Sequence, residues 1–193
     1  FSGLALAAER GAAPEVRSCI PVHNESCLVA LESAGAAGFW LSPELTLEQV
    51  CDLAPRASVP VGLMVLGRER AMTSEHCVLQ VTGKCVHDCA RCPQRRARFS
   101  LKDIDGKLLP VRTDVNGRSR IWSAYPLDAT PQAGELIAAG VTRLLADCTL
   151  LDERQTRFSV ERVRRAIDAV RAGKKPAARM QGATSGHLFF GIG

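Results

Sequence analysis

A short apolar strand, a polar tip and an amphipathic helix recur along this 193-residue chain, and that recurrence restricts its possible folds more than any other feature. The run VRSCIPVHN at 16–24 leads into ESCLVALESAG, where Gly35 can terminate a helix. GFWLSPEL at 38–45 leads into TLEQVCDLAP, where Thr46 and Gln49 have capping-box spacing and Pro55 stops the run. VPVGLMVLGR at 59–68 follows, so starts near 16, 38 and 59 give a period of about twenty-one residues. The strands read as near-continuous apolar runs, the pattern of parallel strands covered on both faces. A fourth, GVTRLLADC at 140–148, precedes a helix predicted from Ser159 to about Arg171. Val160, Val163, Ile167 and Val170 share one stripe of that helix, with Arg162, Arg165 and Asp168 off it. This pattern predicts an α/β fold with right-handed crossovers, and the regular period suits a (β/α) TIM-type barrel better than a doubly wound sheet. Four strands cannot close an eight-stranded barrel. The expectation is therefore a partial barrel, completed by a preceding amino-terminal segment or by self-association; the chain begins at Phe1 without an initiator methionine, which favours the former.

Between the third and fourth strands lies a different piece. RFSLKDIDGKLLPVRTDVNGRSRIWSAY reads as a small antiparallel β-meander of three strands joined at Asp105-Gly106 and Asn116-Gly117, dipeptides favoured in hairpin turns. The predicted organisation is barrel βα units over 1–68, a cysteine loop and meander inserted over 69–130, and the last βα unit with the tail over 131–193. The insertion leaves the carboxyl end of a strand, the face on which barrel enzymes build active sites.

Four cysteines, Cys77, Cys85, Cys89 and Cys92, fall within sixteen residues of that insertion. Thiolates are soft anionic ligands, and four on one loop can converge on Zn²⁺ or on an iron-sulfur cluster. Two disulfides are the competing reading. The remaining cysteines, Cys19, Cys27, Cys51 and Cys148, sit in apolar strand-like or helix-like contexts typical of a reduced cytoplasmic protein, which favours metal. Cys148, at the mouth end of its strand, is a reserve ligand; Cys19, Cys27 and Cys51 read as small core residues. The C-x3-C-x2-C spacing of Cys85, Cys89 and Cys92 also occurs in radical S-adenosylmethionine enzymes, but here it follows a late strand and Cys77 supplies a fourth thiol, so the match is read as coincidental.

A hydrophobic content of 46% and a charged content of 23% are those of a chain that buries a core. GLALAA near the start is far too short to span a membrane, and no membrane partner is expected. The net charge of +5 permits nucleic acid without requiring it. Basic residues gather at Arg91, Arg95, Arg96 and Arg98, where an RNA substrate would place phosphates, and again from Arg162 to Lys175, read as a solvated helix face. Few aromatics interleave with them; Trp40 and Trp122 read as packing residues.

Several segments together carry a resemblance: PVHNESCLVALESAGAAGFWLSPELTLEQV, VLGRERAMTSEHC, the cysteine loop, LKDIDGKLLPVRTD, RLLADCTLL and TSGHLFFGI. They resemble the carboxyl-terminal half of the collagenase-like peptidase family U32, from about Val16 to Ile192. Its most specific elements here are Ser42-Pro43-Glu44-Leu45, Gly67-Arg68 and Glu75-His76-Cys77. The resemblance implies a barrel protein with a four-iron four-sulfur (4Fe-4S) cluster on four cysteines. It also implies oxygen-independent or prephenate-linked hydroxylation of RNA bases or of a quinone-precursor ring, beside an older and mechanistically unresolved peptidase label. The cysteine-to-glycine spacing, Cys77 to Gly83, is one residue longer than the family's usual signature.

Independently of the resemblance, the chain contains no H-E-x-x-H, no G-x-S-x-G and no recognisable serine, histidine, aspartate arrangement. A four-thiolate zinc site is closed and structural, so zinc here would make a non-catalytic binding module. The polar strand tips supply the remaining candidates. Arg68 could clamp a carboxylate or phosphate, Glu44 could balance it, and His23 could exchange a proton. Glu75 and His76 adjoin Cys77, where hydrogen bonds tune a cluster. Each has a plain alternative as a cap or a solvated side chain, and Asn24 can cap the helix near Ser26.

Overall fold

The computed structural model describes residues 2–17, 20–82 and 85–190; Cys19 and Gly83, which enter the readings above, lie outside the described residues. In chain order the main elements are α1 (Ser2–Glu9), β1 (Glu15–Val16), α2 (Glu25–Ser33), β2 (Gly38–Trp40), α3 (Leu47–Leu53), β3 (Val61–Gly67), β4 (Arg70–Ser74), β5 (Phe99–Lys102), β6 (Leu108–Thr113), β7 (Ser119–Trp122), β8 (Leu127–Asp128), α4 (Ala133–Ala138), β9 (Val141–Ala146) and α5 (Glu153–Arg171). They form two compact units, one from residues 68–126 and the other from the segments on either side.

The flanking segments build a parallel sheet in the order β1-β2-β3-β9. Each strand pairs with the next βα unit in sequence, which is what short helical crossovers of one hand produce. Phe39, Leu63 and Val65 are buried at 2% exposure or less, and with Leu28, Leu31, Val50 and Val163 from the helices they form one core. Each such side chain contributes about 1.5–3 kcal/mol when fully buried. β8 joins antiparallel through Leu66↔Asp128 and Gly67↔Leu127, on the edge of β3 that β2 leaves free beyond Gly62. Among the described residues the sheet does not close into a barrel.

Local signals account for most boundaries. Asn24 accepts the Cys27 N–H at the start of α2, and Thr46 and Gln49 make a complete capping box on α3. Gly35 ends α2 at φ 88°, with its N–H on the Glu32 carbonyl and that of Ala36 on Leu31, the paired bonds of a Schellman motif. Two expectations shift. The strand expected over 16–24 is only Glu15–Val16 in the described residues, and Pro21, with no N–H to offer, interrupts a ladder before His23; Val22 is nonetheless fully buried, its carbonyl accepting the Ser42 N–H. Helix α5 starts six residues earlier than Ser159, on an Asp152–Gln155 capping box. On that frame Ser159, Val163 and Ala166 face the core while Val160 is 46% exposed.

Residues 68–126 form a four-stranded antiparallel sheet, β4-β7-β6-β5, one strand more than the meander predicted. Both hairpins are folded by an aspartate four residues before the loop closes. Asp103 accepts the Lys107 N–H and Asp114 accepts those of Asn116 and Arg118, leaving only Gly106 and Gly117 with positive φ in these loops. No helix among the described residues is long and apolar enough to cross a membrane.

Candidate functional site

The cysteine loop packs on one face of the antiparallel sheet. Leu79 is buried there, and the Val78 N–H donates to Ser119 Oγ at 3.1 Å, with Ser119 itself fully buried and bonded to Thr113. This anchoring opens a cleft of about 350 Å³, counting solvent at its mouth, whose wall includes Cys77, Cys85, Cys89 and Cys92. All four are free thiols and half-buried, as are Cys27, Cys51 and Cys148. His87, between the second and third cysteine, is the one described non-glycine residue with positive φ, at 52°.

Two further observations bear on what the cleft can hold. The Gly117 turn lies directly behind the loop: a Cβ there would stand 2.9 Å from Cys89 Sγ and 3.9 Å from the Cys77 Cβ. Arg95 also lines the cleft, its Nη2 donating to the Ala90 carbonyl at 3.1 Å while its Nε is buried with no acceptor among the described residues. Four thiols and an unanswered N–H suit an anionic thiolate-bound metal group, since cationic donors to sulfur stabilise such groups. The donor set therefore fits either a cluster or Zn²⁺. The thiols share one wall, but among the described residues no three metal-ligating side chains stand at ligand spacing around one point.

The other candidates divide. His23 Nε2 and Glu44 Oε2 meet at 3.0 Å, so two residues 21 positions apart form one pair, although both lie in loops and not at the strand tips expected. Arg68 directs Nη1 to the carbonyls of Ser123 (2.7 Å) and Ala124, and its burial lowers the pKa of the guanidinium. That guanidinium ties off the end of its own sheet. Glu75 is ion-paired with Arg118 at 2.7 Å, and His76 is exposed, its backbone N–H on Ser74 Oγ. Cys148 belongs to the parallel-sheet unit, its thiol 3.7 Å from the Ala146 carbonyl.

Two constellations escaped the sequence reading. Asp128 is fully buried on β8 and accepts from Thr130 Oγ1 (2.6 Å), the Thr130 N–H (3.1 Å), Arg162 Nη2 (2.6 Å) and the Met180 N–H (2.8 Å). Burial alone would raise its pKa, but these bonds outweigh it and hold the carboxyl below the ordinary range. Arg162, expected on a solvated face, is thus 14% exposed and structural. The second comprises Glu15, Arg17, Trp40, Arg143 and Asp147 on the parallel sheet. The only sequence hint of either was polar residues at strand ends.

A profile of peptidase family U32 matches residues 15–187, and the chain belongs to that family. No curated protein and no solved structure matches it.

Proposed function

We propose that this U32-family chain is a (β/α) barrel-type enzyme segment whose Cys77, Cys85, Cys89 and Cys92 hold a 4Fe-4S cluster, and that it serves redox or hydroxylating modification of RNA or of a small ring substrate. The observation that carries the reading is the cleft lined by four free thiols, with the buried Arg95 Nε as an unsatisfied donor in its wall. When bound, a cluster supplies one-electron chemistry. Cys77, Cys85, Cys89 and Cys92 would hold it, with Leu79 and Arg95 in the same cleft wall and the Gly117 turn against Cys89. Charge favours RNA as the partner. Residues 68–126 hold twelve of the 25 Lys and Arg but six of the 20 Asp and Glu, so this unit carries +6 and the rest −1. On its sheet Arg112 and Arg120 are register partners; Asp114 answers Arg120 at 3.3 Å, while Arg112 donates to the Ala97 carbonyl.

Iron and acid-labile sulfide analysis on protein purified without oxygen tests the cofactor. Matching iron and sulfide with no proteolysis of casein or denatured collagen is the expected result. One stoichiometric zinc and no sulfide would make the chain a zinc-stabilised binding module instead. Robust proteolysis surviving iron removal would restore the peptidase reading that the family's description carries.

The barrel reading also has a physical test. β1 and β9 pair on one edge only among the described residues, and open parallel edges invite association. The chain alone is expected to self-associate, or to be rescued by an added amino-terminal half-barrel. Sedimentation showing a stable monomer at high concentration would overturn this.

A further inference from the structure

Residues in and just after β1, and one of β3, gather around a single tryptophan of the parallel sheet. Trp40 is the last residue of β2, and its indole lies against Gly62 of β3, where a Cβ would come within 2.5 Å of the ring. Its Nε1–H donates to Glu15 Oε2 at 3.0 Å, and the other Glu15 oxygen accepts from Arg143 Nη1. The ring is therefore fixed in both position and orientation. Arg17, the residue after β1, sits over it with the guanidinium carbon 5.6 Å from the centroid. Asp147, the residue after β9, is the charged partner of Arg17 through a single long contact of 3.5 Å. Asp147 is itself held, its Oδ1 accepting the Thr149 N–H at 2.9 Å and its backbone packed where Gly67 lacks a Cβ.

A guanidinium has five N–H donors in a planar fork, and the aromatic face beneath fixes that plane without using any of them. Arg17 is 47% exposed, so its donors reach solvent at the carboxyl ends of parallel strands, where α/β folds receive small ligands. We propose that Arg17, oriented by Trp40, is an anion-binding residue that receives the carboxylate or phosphate of a small-molecule ligand at this edge of the sheet. Asp147 competes for the same fork when no ligand is present. Its residues all belong to the parallel-sheet unit, and it needs no metal.

The test uses the whole chain and the indole N–H resonances of its two tryptophans, assigned with Trp122→Phe. Benzoate and inorganic phosphate are titrated separately at constant ionic strength. The expected result is a saturable shift of the Trp40 resonance with at least one of them while the Trp122 resonance stays in place. Whichever anion binds more tightly identifies the source of the charge. Arg17→Gln should weaken that binding by about tenfold or more, and Arg17→Lys, which keeps charge but loses the fork, by less. Asp147→Asn should tighten it. Absence of any saturable shift, or unchanged affinity in Arg17→Gln and Arg17→Lys, would overturn the proposal.

Discussion

Replacing Arg162 with Ala is expected to lower the stability of the parallel-sheet unit by about 3–5 kcal/mol, because it strands a fully buried carboxylate. Asp128 has no water to fall back on, and its remaining bonds come from Thr130 and the Met180 N–H. Asp128→Ala should be similarly severe, since Arg162 is 14% exposed and would keep only the Ala178 carbonyl at 2.6 Å. Urea unfolding measures both, and a loss under about 1 kcal/mol would make the pair no better than a surface ion pair. The pH dependence has a definite sign. The Asp128 carboxyl titrates below its unfolded value of about 3.9, so its stabilisation is complete above that value and is lost as pH falls through the folded pKa. Asp128→Asn should flatten the acid limb of the stability curve.

The second large effect concerns metal retention. Each of Cys77→Ala, Cys85→Ala, Cys89→Ala and Cys92→Ala should strip most iron from protein purified without oxygen, whereas Cys27→Ala, on α2, should leave it unchanged. Gly117→Ala should weaken retention by roughly tenfold without removing a ligand. Its φ of 80° is strained for alanine, and the new Cβ would press on Cys89 Sγ. Full iron content in Cys85→Ala or Cys89→Ala would remove that residue from the set.

What the sequence disclosed was whatever is encoded locally. The parallel strands around Phe39, Val65 and Leu144, the caps at Asn24, Thr46 and Gly35, and the turns at Gly106 and Gly117 depend on neighbours a few positions away, so spacing betrays them. β4 and β8 are short and lack an apolar run, and their partners lie far along the chain: Ser74 pairs with Ser119, and Asp128 with Leu66. The same distance hid the role of Arg162, whose carboxylate is 34 positions away, and the Arg17–Trp40 contact, in which Trp40 read only as a packing ring and Arg17 carried no signal of its own. The cysteine cluster was legible because its spacing is itself local. The unsatisfied Arg95 Nε was not, since satisfaction is a property of three-dimensional surroundings.

The short β3–β8 pairing has a consequence for how this chain can vary. Gly67 and Leu127, the last residue before the antiparallel unit and the first after it, are direct register partners. To the parallel sheet, everything between them is therefore the loop of a hairpin whose closure is already secured by backbone bonds. The entropy of such a loop grows only logarithmically with its length. The thiol-bearing unit can thus be enlarged, trimmed or exchanged for another at little entropic cost to the sheet that carries it.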